Sequence, residues 1–217
     1  MQKKEIERLK KKLKLNKSQR RILVGLLLGD ACLETQNRGR TYRLKIEYSL
    51  KHRDYCEYIY EIFKEWTLTP PRLKEVVSRE HRSVNICFST VSHGAFRFYA
   101  KQFYKGNRKR VPPLIEKLLT PQGLAFWFMD DGSFKSGESK GLIFNTQGYT
   151  EQDVNILVRV LNEKFGLKAW KRKQKEGFQI YISGESYESF LELISPYLHP
   201  SMIYKLPKAR RTYLPKR

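Results

Sequence analysis

Acidic side chains are in short supply. The 217 residues hold 22 Asp+Glu against 43 Lys+Arg, a formal net charge of +21. Such an excess does not choose a fold, but it implies an anionic partner. Nucleic acid is favoured, because basic side chains displace its condensed counterions. A membrane surface and plain solubility are the bland competitors. Cysteine is scarce too. Cys32, Cys56 and Cys87 form an odd set without a CxxC pair, which argues against a disulfide framework or a zinc site and fits a reducing compartment. His52, His81, His93 and His199 are scattered, so no histidine-based metal cluster is expected. Long apolar runs are missing. The longest, around "ILVGLLLG", falls far short of the ~18 residues a spanning helix needs. "MQKKEIERLKKKLKL" lacks the apolar stretch of a secretory signal and is a poor transit peptide. The chain is expected to be soluble and intracellular, with no membrane partner. Mitochondrion, plastid and prokaryotic cytoplasm all stay open.

What is present suffices for a real core: 40% of residues are hydrophobic and 13% aromatic. The length allows one large domain or two small ones. Residues 1–16 read as a basic helix or arm. Ser18 is the expected cap of the next helix, which carries Ile22, Leu23, Leu26 and Leu27 and ends at Asp30-Ala31. "CLETQN" and "GRTYRLKIEYS" read as strands; in the second, Leu44 and Ile46 alternate with Arg43, Lys45 and Glu47. "RDYCEYIYEIFKEW" is a helix with Tyr55, Ile59, Ile62, Phe63 and Trp66 inward, stopped by "TPP". "RLKEVVSR" and "SVNICFS" predict a hairpin around Glu80-His81-Arg82, with Val84, Ile86 and Phe88 on the inner face. "HGAFRFYAKQFY" is a further helix.

After "KGNRKRVPP" the order begins again. "PQGLAFWFMDD" is a helix with Thr120 as cap and Pro121 in its first turn. "GSFKS" and "KGLIFNTQ" are strands. "TEQDVNILVRVLNEKFG" is a helix between the Thr150 cap and the Gly166 stop. "LKAWKRKQK" and "GFQIYIS" make a hairpin near Glu176-Gly177, and "SYESFLELI" is the last helix. This is a diverged internal duplication, with repeats at 17–106 and 107–217.

The stretch "LAFWFMDDGSF" runs an apolar helix straight into Asp130 and Asp131, and isolated buried carboxylates are costly. "LVGLLLGDA" in the first repeat does the same, pairing Asp30 with Asp131 and Ala31 with Gly132, 131 − 30 = 101 residues apart. Two such helices packed side by side bring both aspartates to one end of the interface. Gly25 and Gly29 on one face admit a close backbone approach, with the larger Phe126 in register opposite. Oxygen ligands of this kind suit Mg²⁺.

These residues resemble a double-motif LAGLIDADG homing endonuclease, on "LLLGDA", "LTP" followed by "AFWFMDDG", "NTQ" and "MIYKLP". The likeness covers nearly the whole chain from about residue 18 and is strongest to a monomeric yeast mitochondrial member. The resemblance implies an α+β fold of two pseudo-symmetric αββαββα repeats, a two-helix central interface, and antiparallel β saddles over the DNA major groove. It makes Asp30 and Asp131 metal ligands, with Ala31 and Gly132 in the metal-binding set. It places Lys109 and Lys205 beside the scissile phosphates and Glu47 and Asn145 where they order water. Asp130 departs from the family pattern and is not assigned a primary role. The expected activity is Mg²⁺-dependent double-strand cleavage, with Mn²⁺ as substitute, by a monomer with internal pseudo-twofold symmetry.

The expected DNA-binding residues are Arg38, Arg40, Arg43, Lys45, Arg72, Lys74, Arg82, Asn85, Lys171, Lys173, Gln179 and Tyr181. Arg and Lys read guanine bidentately, Asn and Gln adenine, and many such contacts reach only phosphate. Two eight-residue saddles span roughly 15 to 20 base pairs. An intron RNA maturase and a catalytically dead DNA-binding regulator are the alternatives on this scaffold. Neither needs all of Asp30, Asp131, Lys109 and Lys205.

Overall fold

The computed structural model describes residues 3–77, 82–137 and 139–207. The chain divides into two compact units. One holds the chain up to Arg20 together with Asp30–Lys101; the other holds Arg21–Gly29 with the chain from Gln102 onward.

The first unit begins with α1 (Lys3–Lys12) and the start of α2 (Lys17–Leu28). α2 is capped by Asn16 rather than Ser18. Gln19 N donates to Asn16 Oδ1 at 2.8 Å while Asn16 N donates to Gln19 Oε1 at 3.0 Å. This reciprocal box satisfies two orphan donors at once, which a serine one turn too deep cannot do. Gln19 is buried and ties the cap to the fold by donating to Ile62 O at 2.9 Å.

Strands β1 (Cys32–Glu34), β2 (Arg43–Ser49), β3 (Arg72–Val77) and β4 (Arg82–Ser89) make an antiparallel sheet in the order β1-β2-β4-β3. β2 shows why it is a strand: Leu44, Ile46 and Tyr48 are buried and the residues between them are not. Period-two burial needs one face on a core and one on water. Helix α3 (Arg53–Phe63) covers β2 and β4 with Tyr55, Cys56, Ile59 and Phe63 buried. Ile62 stays half-buried, and Trp66 in the turn beyond is fully buried. On β4, Ile86 and Phe88 face inward as expected, but Val84 is 37% exposed because the β3–β4 hairpin runs past the end of the core. Its turn at Glu80-His81 lies outside the described residues. Helix α4 (Arg97–Phe103) follows.

The second unit opens with a hairpin the sequence did not suggest, β5 (Tyr104–Lys105) with β6 (Arg108–Lys109), and a short α5 (Ile115–Leu118). Helix α6 (Pro121–Asp131) is capped by the Thr120 side chain, which accepts from Gly123 N. Every residue from Gly123 to Met129 is buried. That is why its sequence is apolar all round rather than along one stripe. β7 (Gly132–Ser136), β8 (Ser139–Phe144), β9 (Ala169–Gln174) and β10 (Gly177–Ile182) form a second antiparallel sheet, order β7-β8-β10-β9. Helix α7 (Glu151–Glu163), capped by Thr150, lies on β9 and β10. Gly166, with φ 64°, provides the left-handed turn that stops it. α8 (Tyr187–Ile194) packs on α6, where Phe128, Phe144 and Phe190 meet edge to face. The same strand order appears in both sheets, so the expected α+β class holds.

Candidate active site

The site is built on helix ends. Within the second unit, α2 from Arg21 and α6 touch backbone to backbone. A Cβ added at Gly25 would overlap the Gly123 carbonyl, and one at Gly123 would sit 2.9 Å from Arg21 O. The expectation of Phe126 opposite Gly25 is met only in part. Its Cβ is 3.0 Å from that position, but Gly123 comes closer. Glycine therefore meets glycine, and the contact is more even-handed than the sequence suggested. One turn on, a Cβ at Gly29 would overlap the Asp130 side chain.

Each helix end has its carbonyls claimed by donors. Lys109 Nζ donates to Gly29 O and Lys205 Nζ to Asp130 O, both at 2.5 Å. Gly29 precedes Asp30 and Asp130 precedes Asp131, so the two lysines hold equivalent positions in the duplication. An ammonium at a helix C-terminus satisfies a carbonyl that has no partner within the helix and opposes the negative end of the dipole. Tyr149 adds a third such bond, its hydroxyl donating to Leu28 O at 2.8 Å. Burial, with the Asp131 charge next, pushes the Tyr149 phenol well above its ordinary range, so it serves as a neutral donor.

Asp131 is half-buried and oriented. Trp127 Nε1 donates to its Oδ2 at 3.2 Å, one helical turn back. Asn145 donates twice to Asp131 O, from N and from Nδ2, each at 2.9 Å. Asn145 Oδ1 accepts from Gln179 Nε2 at 2.7 Å. In the second sheet the pair Gly132↔Phe144 extends one step to Asp131 and Asn145; in the first, Cys32↔Lys45 extends two steps to Asp30 and Glu47. Asp131 thus stands against Asn145, and the same count sets Asp30 opposite Glu47, the residues expected to order water. Asp30 is exposed.

Glu47 accepts from Lys74 Nζ at 3.0 Å and Asn85 Nδ2 at 2.9 Å, and pairs with Lys45 at 3.6 Å. The Asn85 hydrogen bond, opposed by burial and helped by Lys74 and Lys45, holds its carboxyl below the usual range. Ala31 is buried, and neither it nor Gly132 has a ligating side chain, so only their backbone oxygens are available to a metal. Gly132 is required by packing, because a Cβ there would overlap the Phe128 ring. Among the described residues no group of three or more His, Cys, Asp or Glu gathers.

The sheet faces away from the helices carry the polar side chains. In the first sheet this face holds Asn85 and, around a groove of about 470 Å³, Arg43, Lys45, Arg72 and Lys74. Glu34 binds Arg43 at 2.8 Å and Lys45 at 3.3 Å. Burial works against ionisation of Glu34, but these two cations hold its carboxyl low. Arg38 and Arg40 lie in the exposed β1–β2 loop, Arg38 at φ 56°. Arg82 does not share the groove face. It pairs with Val77 and alternates with Val84 and Ile86, which puts it on the helix side of the sheet.

The second sheet corrects the prediction further. Gln179 and Tyr181 are on the outer face, but Lys171 and Lys173 pair with Ile180 and Phe178 and point to the helix side. Lys171 bonds Glu151 of α7 there. A one-residue slip in strand phase exchanges the faces completely. The outer face instead carries Trp170, Arg172 and Gln174 of β9 and Lys135 of β7, none of which was singled out. The signal was available: Leu167 and Ala169 are buried, and counting by twos from them reaches Lys171 and Lys173.

Comparison with known proteins bears on this geometry. Residues 20–190 match the model of the LAGLIDADG DNA endonuclease family. A probable intron-encoded endonuclease 1 of Wickerhamomyces canadensis is 34% identical over 88% of this chain and 85% of its own. The cytochrome b mRNA maturase bI2 of Saccharomyces cerevisiae is 30% identical over 85% of this chain, which spans only 46% of that protein. The solved structure of the homing endonuclease I-WcaI bound to its DNA recognition sequence superposes with TM-score 0.87 and 33% identity, covering 93% of this chain and 91% of that one. The likeness is to intron endonucleases and I-WcaI, not specifically to the yeast mitochondrial enzyme I-SceI that the sequence pattern suggested.

Proposed function

The chain belongs to the LAGLIDADG DNA endonuclease family, and from that premise we propose that it is an intron-homing enzyme that cuts both strands of one long, rare DNA site. The observation that carries this reading is the repeated helix end. Asn145 bonds the Asp131 carbonyl, strand count sets Glu47 opposite Asp30 two steps beyond the β1–β2 ladder, and each aspartate follows a carbonyl held by a lysine. A regulator that only binds DNA has no use for this machinery in duplicate. The I-WcaI complex supports double-stranded DNA as the partner.

The cofactor of this reading is Mg²⁺, with Mn²⁺ as substitute. Asp30 and Asp131, with the backbone oxygens of Ala31 and Gly132, are the residues that would hold it. A carboxylate-and-carbonyl donor set fits a hard cation, and so few protein ligands fit one that keeps several waters and shares phosphate oxygens. Such an ion supplies a more acidic water and neutralises charge on the transferring phosphoryl group. Glu47 would accept a hydrogen bond from the attacking water, and Asn145 would accept one at Oδ1 or donate one from Nδ2. Lys109 and Lys205 then turn their ammoniums from the helix carbonyls toward the scissile phosphates, where charge grows in the transition state. Each sheet presents its outer face to the major groove. We take the protein to act as a monomer, with its repeats at 17–106 and 107–217 serving one half-site each, in an organelle or a prokaryotic cytoplasm. Among the described residues no helix is long and apolar enough to cross a membrane.

A second activity, assistance to intron RNA splicing, is favoured by the maturase relative. The test joins the sequences flanking the encoding element into an uninterrupted duplex and incubates it with the purified protein. One double-strand break near the junction in Mg²⁺, absent in Ca²⁺, is the expected result. Tight binding of the intron RNA with no cleavage of any duplex would replace the endonuclease by the maturase.

A further inference from the structure

The outer face of the second sheet carries an aromatic platform that the catalytic reading leaves unused. The Tyr181 and Trp170 ring centroids lie 4.5 Å apart, and Lys135 Nζ stands over the Tyr181 ring, 5.3 Å from its centroid. Gly141 makes room for it: a Cβ there would overlap the Tyr181 ring and hydroxyl. Ile143, the cross-strand partner of Tyr181, completes the patch. Trp170 is 46% exposed, although its neighbours Ala169 and Ile182 are buried. A large apolar ring held rigidly in the open, on a face otherwise lined by Arg172, Gln174 and Gln179, is not needed for the core. Surface aromatics grouped in this way mark binding sites.

Among the described residues the outer face of the first sheet carries no such aromatic pair. Its outer face is knitted by Glu34 and Glu47 to Arg43, Lys45, Lys74 and Asn85. The two outer faces therefore differ in chemistry. Among base edges in the major groove, only thymine offers an apolar group, its C5-methyl. The basic residues beside the platform suit the phosphates on either side of such a base.

We propose that Trp170 and Tyr181 determine specificity by packing against the methyl groups of one or two thymines in the half-site bound by the second repeat. This rests on the reading of the protein as a DNA-cleaving enzyme whose sheets lie in the major groove. Ile143 sets the floor of the contact and Lys135 fixes the Tyr181 ring through its charge.

The experiment begins with a duplex recovered by selection from random DNA, then replaces each thymine singly by uracil, which removes only the methyl group. Losing one buried methyl weakens binding roughly four-fold. The expected result is that loss at one or two adjacent positions in one half-site. In Trp170→Ala those positions become indifferent to the methyl, while Trp170→Phe restores part of the discrimination. Tolerance of uracil everywhere overturns the proposal, as does methyl discrimination that survives in Trp170→Ala. Failure of selection to recover any duplex overturns the DNA-cleaving function itself, and this inference with it. Trp170 is partly exposed, so its replacement leaves the fold intact; a thermal melt close to that of the wild type verifies this.

Discussion

Lys205 Nζ lies 2.5 Å from the carbonyl oxygen of Asp130, and Lys109 Nζ lies the same distance from that of Gly29. Each lysine thus rests one residue short of the aspartate it would serve. The bond has a structural use, since it satisfies a helix end, and it keeps an ammonium at the place where phosphate would arrive. Replacing Lys205 with Met preserves the stem and removes the charge. The structural part costs at most about 1 kcal/mol. Loss of a transition-state donor costs roughly 100-fold in rate. Single-turnover assays on a supercoiled substrate should show nicked DNA accumulating, because one strand slows and the other does not. Equal slowing of both strands, or none, would leave the lysine only its helix-end role.

Gly25 is where the two helices come closest. A side chain there would have to displace the Gly123 backbone and crowd the Phe126 Cβ, and backbone does not yield cheaply. Gly25→Ala should cost at least about 3 kcal/mol, toward the upper end of overpacking penalties, lowering Tm by roughly 6–12 °C for a chain of this size. Gly148→Ala, which meets nothing within 4 Å, is the control and should move stability by less than about 0.5 kcal/mol. Thermal melts of the two variants decide the matter; similar values would mean the helix contact is looser than described.

Strand phase gives a third prediction. Arg172 shares its face with Gln179, whereas Lys171 faces α7. In binding titrations over a range of salt, Arg172→Ala should reduce the slope of log affinity against log salt by about 1. Lys171→Ala should leave that slope nearly unchanged. The reverse ranking would mean that the second sheet meets DNA with its other face.

Glu34 supplies a pH dependence. Its carboxyl is held below the ordinary 4.5 by Arg43 and Lys45, against the effect of burial. A depressed folded-state value stabilises the protein above the unfolded pKa, and that contribution disappears as pH falls through the folded one. Tm measured from pH 7 down to pH 3 should therefore fall more steeply for the wild type than for Glu34→Gln. The difference at neutral pH should be less than about 1 kcal/mol, since the pair is partly exposed. Parallel curves would remove this ion pair from the stability of the sheet.

Much of this was legible in the residues, for physical reasons that can be named. The burial of Leu44 and Ile46 followed from period two, and the caps at Thr120 and Thr150 from side chains that accept where a helix leaves donors open. The placing of Asp30 and Asp131 at the ends of two equivalent helices was legible because the motif is duplicated. Other features were not. The Asn16–Gln19 box lost to Ser18 because only the reciprocal bond distinguishes them. Lys171 and Lys173 were misplaced because a charged strand carries no apolar phase of its own; the phase comes from Ala169 and from the partner strand. The hold of Lys109 and Lys205 on helix carbonyls depends on tertiary approach across 80 and 75 positions of chain, which no local pattern encodes.

The most direct test of the central claim is cleavage of a cognate duplex in Mg²⁺ by Asp131→Asn and Asp30→Asn, with binding measured on the same samples. Asn keeps the size and, at position 131, the hydrogen bond from Trp127, but not the charge that would hold a cation. The account predicts affinity close to wild type and no double-strand break from either variant. A full rate of double-strand cleavage by either one would contradict it.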